Sequence, residues 1–231
     1  MKSKKKIILI IGFILFDLLL IGSLFFLYQI ANENKLRVEV LELSKLDIMK
    51  DRYNRSYRTI GAYRKVERAI KDYLDDYAVH IQELSKLVDD NQLKTVLSIE
   101  NIEKENSFEE SISYLDESLK QYNTKIEYLL GRLNEDTIKN SINDYTKSPY
   151  YRNLYIELML DDSIKNDFFG TKELLMTIKT KMNQKLNSMK DALIYLKDHR
   201  DAWFIEDGEI KFRDQGEYNY YNELLSKINP S

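Results

Sequence analysis

Residues 107–133 read SFEESISYLDESLKQYNTKIEYLLGRL. Phe108, Ile112, Leu115, Leu119, Tyr122, Ile126, Leu129 and Leu133 recur at spacings of 4, 3, 4, 3, 4, 3 and 4, with mostly polar residues between them. That period lays one apolar stripe along a helix. A strand would need alternate residues on one face. Ser107 followed by Glu110 has the spacing of a capping box at the helix start.

The same pattern extends in both directions. A second amphipathic helix is expected from about Tyr57 to Val88, with Tyr63, Val66, Ile70, Tyr73 or Leu74, Tyr77, Ile81, Leu84 and Leu87 on its apolar side. A third is expected from about Thr171 to Asp198, through Leu175, Ile178, Met182, Leu186, Met189, Leu193 and Leu196. Ser148-Pro149 opens a shorter helix, because Pro fits the first helical position. Residues 32–52 are expected to form a helical stalk, with Leu36, Val40 and Leu43 on one side. The connections 89–106 and 161–170 are short enough to reverse the chain. An intramolecular antiparallel bundle is favoured over a parallel coiled-coil oligomer because several interrupted helices each carry a stripe to cover.

The carboxyl end changes character. Asp207-Gly208 lies at the centre of the stretch Trp203 to Phe212 and suits a two-residue type I′ turn. That turn pairs Ile205 with Ile210 and Trp203 with Phe212, all on one face. Asp214 and Glu217 then offer a cap for a last helix, about 215–228.

Near the start, Lys2, Lys4, Lys5 and Lys6 precede a run from Ile7 to Tyr28 that is apolar except at Gly12, Asp17, Gly22 and Ser23. A helix of that length spans roughly 33 Å, against a hydrocarbon core of roughly 30 Å. A buried soluble helix is rarely so uniformly apolar. A cleaved signal peptide would have a shorter apolar region and small residues at its end, and Leu27-Tyr28-Gln29-Ile30 lacks them. The run reads as an uncleaved anchor. The lysines hold the amino terminus in the cytoplasm and place everything after about residue 31 outside. Setting aside four Lys and one Asp leaves 31 basic and 37 acidic residues there, a net charge of -6.

The expected class is therefore mainly α: a transmembrane helix, then an elongated antiparallel bundle with a small β-hairpin and a final helix. The divisions are 1–6 as cytoplasmic tail, 7–30 as anchor, 31–56 as stalk, 57–200 as bundle and 201–231 as hairpin plus helix.

Composition narrows the chemistry. The 231 residues include no Cys, which removes disulfides, thiolate metal sites and Cys nucleophiles. Seven Gly and two Pro are too few for a loop-rich β fold. A net charge of -3 gives no general attraction for nucleic acid. His80 and His199 are the only histidines, neither in an HExxH pattern, and no EF-hand spacing or phosphate-binding glycine loop is present. No cofactor, metal or catalytic residue is expected, and the chain is not read as an enzyme.

The candidate functional residues are of two kinds. Asp17 lies near the middle of the anchor, where an ionised Asp costs about 2.5–3.5 kcal/mol, so it is a candidate contact for a membrane partner or a second copy of the chain. Tyr145, Tyr150, Tyr151 and Tyr155 cluster, as do Tyr218, Tyr220 and Tyr221. Tyrosine buries area while keeping its hydroxyl wet, so these are candidate interaction surfaces, weighed against ordinary packing at helix ends. The basic stretch Arg52, Arg55, Arg58, Arg64, Lys65 and Arg68 could meet lipid headgroups or an acidic partner, but the interleaved Asp51, Glu67 and Asp72 favour a solvated face, and Asn54-Arg55-Ser56 is a formal glycosylation sequon. The expected function is a membrane-anchored extracytoplasmic scaffold or accessory subunit of an envelope complex, with the membrane and an unidentified protein as partners and a homo-oligomer also considered. A ligand-binding or sensory module is the first alternative and an immunity or exclusion protein the second.

Overall fold

A computed structural model describes the backbone of residues 2–53, 56–105 and 107–228, and their side chains except at 2–18 and 162–169. The chain is mainly helical: α1 (Lys2–Leu43), α2 (Gly61–Val88), α3 (Asn91–Thr95), α4 (Ile99–Lys104), α5 (Glu109–Arg132), α6 (Glu135–Ser141), α7 (Pro149–Met159), α8 (Asp162–Asp198) and α9 (Gln215–Ser226). A two-stranded antiparallel hairpin, β1 (Trp203–Glu206) and β2 (Glu209–Phe212), precedes α9. The helices divide between two compact units, residues 1–75 with 138–161 and residues 76–137 with 162–231.

In the first unit, α1, the start of α2 and α7 meet over Leu36, Val40, Leu43, Tyr63, Val66, Ile70, Leu154, Tyr155 and Met159, all buried. The expected stalk is corrected here. Its helix ends at Leu43, turns follow at 44–50, and Leu36, Val40 and Leu43 are core residues. Leu36, Val40 and Leu43 make one apolar stripe that needs a cover, and this unit supplies it, while Val38 and Leu41 on other faces stay exposed.

In the second unit α5 packs against α8. Lys179 pairs with Glu127 at 3.1 Å, Lys190 with Asp116 at 2.6 Å and Lys197 with Glu109 at 3.3 Å. The numbers rise on α8 as they fall on α5, so the two helices run antiparallel. Their stripes meet as Leu115, Tyr122, Ile126 and Leu129 against Met182, Leu186, Met189 and Leu193, all buried. The connection expected at 161–170 is helical instead, since α8 begins at Asp162.

The start of α5 also differs from expectation. Phe108 takes the cap position at φ 56 with no side-chain cap bond. Ser107 then stands one residue too early for its hydroxyl to reach the third helical amide. Glu105 takes that role: its Oε1 accepts from the Ser111 amide at 3.0 Å, and the Ser111 hydroxyl donates to its other oxygen. The left-handed turn puts Phe108 into the core, its ring 6.3 Å from that of Trp203.

The hairpin matches its expected register, with Trp203 opposite Phe212 and Ile205 opposite Ile210. Asp207 and Gly208 both have positive φ, as a type I′ turn requires. Trp203 is buried, and its indole N–H donates to the Leu196 carbonyl at 2.8 Å. Asp214 caps α9 by accepting from the Gly216 and Glu217 amides, while the Glu217 side chain turns away to accept from the Tyr195 hydroxyl.

Candidate functional site

Along α1, the apolar side chains of Leu19, Leu20, Ile21, Leu24, Phe25, Phe26, Leu27 and Ile30 are 43–69% exposed. At 100° per residue they fall on every side of the helix. A helix in a soluble fold hides at least one stripe, and among the described residues none covers a stripe of 19–27. The one hydroxyl in that stretch, Ser23, donates to the Leu19 carbonyl at 2.8 Å, so its proton is satisfied within the helix. Among the described residues no helix is long and apolar enough to cross a membrane. The first twelve residues of the expected anchor, 7–18, have side chains outside that description, Asp17 among them.

The apolar stretch ends in a ring of polar-tipped aromatics. Asn32 donates from Nδ2 to the Tyr28 carbonyl at 2.9 Å and accepts the Ile60 amide on Oδ1 at 3.2 Å. The Tyr28 hydroxyl donates to the Ile60 carbonyl at 3.4 Å. One turn later the Tyr150 hydroxyl donates to Glu33 at 2.8 Å and lies 3.1 Å from the Tyr63 hydroxyl. Tyr63, Tyr150 and Tyr151 pack edge to face, with centroids 5.1–6.4 Å apart. The bond to Tyr63, then burial, then Glu33 push the Tyr150 phenol well above its ordinary range. The Arg37 guanidinium, then Tyr150, hold Glu33 below the usual carboxylate range.

Beyond this ring sits a buried charge network. Lys71 on α2 reaches Glu67 at 2.6 Å and Glu39 of α1 at 3.0 Å, and donates to the Ser56 carbonyl at 3.0 Å. Glu67 also accepts from the Arg58 and Thr59 amides and the Thr59 hydroxyl. Arg58 pairs with Glu39 at 2.5 Å and with Glu42. Burial raises the Glu67 carboxyl pKa, but the bonds from Lys71, Thr59 and the two amides outweigh it, so Glu67 sits below its ordinary value. The Glu67 and Lys71 groups all face partners, while Glu39 Oε2 accepts no hydrogen bond from the described residues and meets Arg58 as an ion pair; such pairing suits a structural clamp better than a reacting centre.

The expected tyrosine surfaces separate into exposed and packed members. Tyr150, Tyr218 and Tyr220 are exposed. Tyr145 is half-buried, its hydroxyl donates to Asp72 at 2.8 Å, and burial followed by Asp72 pushes its pKa up to about 12. Tyr151 is also half-buried. Tyr155 and Tyr221 are corrected to core residues. Tyr155 is fully buried with its hydroxyl 2.6 Å from Ser141, and burial pushes Tyr221 up to about 12. Helical spacing puts them on inward faces, which a count of nearby tyrosines does not reveal.

In the second unit, Tyr195, Phe212, Tyr220 and Tyr221 form a continuous aromatic cluster. Phe204 is exposed beside Arg213, whose guanidinium lies 5.7 Å from its ring. A cavity of about 110 Å³ lies among Leu87, Leu93, Tyr114, Tyr122, Met182 and Leu186. His80 stacks on Tyr128, the His199 ring lies tilted 4.4 Å from that of Tyr195, and the two imidazoles bond the Asp76 and Tyr195 carbonyls at 2.8 and 3.0 Å. Among the described residues no cluster of His, Asp and Glu is arranged to hold a metal ion. The sequon at Asn54 and Arg55 lies outside the described residues.

Sequence reasoning missed Tyr28, Asn32, Ile60, Glu39, Glu67 and Lys71. Only the four-residue spacing of Glu67 and Lys71 hinted at a pair. No family model, no curated protein and no solved structure matches this chain. The fold and surfaces define it as a helical bundle protein in which residues 19–27 of α1 are apolar and exposed.

Proposed function

We propose that this chain is a single-pass membrane protein whose extracytoplasmic helical part binds another protein, as a scaffold or an accessory subunit of an envelope complex. The observation that carries the reading is the all-round exposure of apolar side chains over residues 19–27 of α1. Each such side chain left in water forgoes up to about 1.5–3 kcal/mol of burial, and seven of them together rival the stability of a whole domain. A lipid bilayer covers every side of a helix at once, whereas a protein groove covers one. The lysines before residue 7 favour a cytoplasmic amino terminus. Within the anchor, Asp17 is assigned to a contact with a membrane partner or a second copy, on its position in the sequence.

Exposed Tyr218, Tyr220 and Phe204 supply the protein-binding surface in this reading, since aromatic side chains with a polar tip are enriched in interfaces. The test is photocrosslinking in native membranes from Tyr220 replaced by benzoylphenylalanine. One discrete partner is expected. Diffuse crosslinks that match those from a polar surface position would overturn the scaffold reading, and extraction by alkaline carbonate would overturn the anchor. The captured partner also distinguishes an accessory subunit from an immunity or exclusion protein, because the latter would capture a toxin or an invading machine.

The sensory alternative draws on the cavity beside Tyr122. At about 110 Å³ it is well under the roughly 300–1,000 Å³ typical of small-molecule sites. A more open depression of about 420 Å³, lined by Glu83, Lys86, Glu117, Lys120 and Lys125 among others, does fall in that range, so cavity size does not separate the two readings.

A further inference from the structure

We propose that Tyr28, Ile60, Tyr150 and Tyr151, backed by the buried Tyr63, form a collar that seats the first unit in the headgroup layer of the bilayer, with Ile60 dipping into lipid. The inference rests on the anchor reading of α1 and adds a second membrane contact to it. Tyr28 directly follows the run 19–27, in which every residue is exposed, and stands one turn before Asn32, the first buried polar residue among those described. Tyrosine concentrates at that depth in membrane proteins because its ring is apolar and its hydroxyl is wet.

The loop before α2 is locked at the same height. Asn32 joins the Tyr28 carbonyl to the Ile60 amide, and the Tyr28 hydroxyl meets the Ile60 carbonyl. Gly61 follows at φ 62, and a Cβ there would lie 2.6 Å from the Tyr28 hydroxyl oxygen, so the backbone is pressed onto the ring. Ile60 itself bonds through its backbone and leaves its side chain 58% exposed. In a water-facing loop that exposure is unfavourable, while beside an inserted helix it is a membrane contact. The exposed ring of Tyr150, tied to Glu33 and Tyr63, continues the belt around α1.

The chain has no cysteine, so single introduced cysteines carry a nitroxide cleanly. The full chain is reconstituted in phosphatidylcholine–phosphatidylglycerol vesicles with labels at Leu24→Cys, Ile60→Cys or Met49→Cys. Met49 follows the far end of α1, about 20 Å of helix beyond Ile30. Collision with oxygen, which partitions into lipid, is compared with collision with a water-soluble nickel chelate. The expected oxygen-to-nickel ratio is highest at Leu24, lowest at Met49 and several-fold above Met49 at Ile60. A ratio at Ile60 equal to that at Met49, with Leu24 still deep, overturns the collar and leaves the anchor standing. A water-like ratio at Leu24 overturns the anchor, and the collar with it.

Discussion

The Lys71 ammonium lies 2.6 Å from the Glu67 carboxylate one turn away on α2, and neither side chain has any exposed surface. Glu39 of α1 joins them at 3.0 Å from Lys71. Ions so placed lose several kcal/mol of hydration each, and only mutual pairing offsets it. The network also fixes the register of α1 on α2, because a shift of one residue would swing Glu39 away from both Lys71 and Arg58.

Replacing Lys71 by Met should therefore destabilise the protein by about 3–5 kcal/mol, since two buried carboxylates lose their shared cation. Urea unfolding of the detergent-solubilised full chain measures it. A loss under about 1 kcal/mol would mean that water reaches the network.

The pH dependence has a definite sign. Glu67 has a folded pKa below its ordinary value, with Glu33 shifted the same way. Such groups contribute stability that is fully present above the unfolded carboxylate value, about 4.3, and is lost as pH falls through the lower folded values. The unfolding midpoint should drop on acidification below about pH 4.3, less steeply in Glu67→Gln. An acid slope identical in the two proteins would exclude Glu67 as a source.

Gly61→Ala should cost about 1–2 kcal/mol, mainly from placing a Cβ at φ 62. The remainder comes from the approach to the Tyr28 hydroxyl, so Tyr28→Phe should relieve part of it in the double variant. Thermal melts of the four proteins complete the cycle.

At the start of α5 two capping schemes make opposite predictions. Glu105→Ala should lose about 0.5–2 kcal/mol, because the Ser111 amide loses its acceptor. Ser107→Ala and Glu110→Ala should stay within about 0.5 kcal/mol of the parent. The reverse order would restore the capping box.

Trp203 is the only tryptophan, and its buried indole, under the Arg200 guanidinium at 4.0 Å, should emit at blue-shifted wavelengths. Trp203→Ala should cost about 3–5 kcal/mol, since a large core side chain and the anchor of the hairpin go together. Hydrogen exchange should then quicken over β1 and β2 before the rest of α8.

The helices were legible because a 3.5-residue stripe needs no knowledge of its partner. The heptads of α5 and α8 gave both stripes, and the antiparallel pairing of Lys190 with Asp116 and Lys197 with Glu109 follows once they meet. The hairpin register was equally local, because Asp207-Gly208 sets the turn and the turn sets every pair beyond it. The tyrosine surfaces were read only in part. Whether a Tyr faces solvent depends on what packs beside it, so Tyr218 and Tyr155 look alike in sequence and differ in place.

By itself, then, the sequence determined the long amphipathic helices though not the short α3, α4 and α6 or the helical start of α8, the turn that pairs β1 with β2, and the apolar length of the amino-terminal run. Those properties arise from residues within a few positions of one another. The tertiary structure alone decided that the supposed stalk is core, that Phe108 displaces Ser107 at the cap, and that Glu39 meets Lys71. It also decided that Ile60 is held beside Tyr28. These depend on contacts between residues far apart in the chain, where packing and desolvation outweigh local preference.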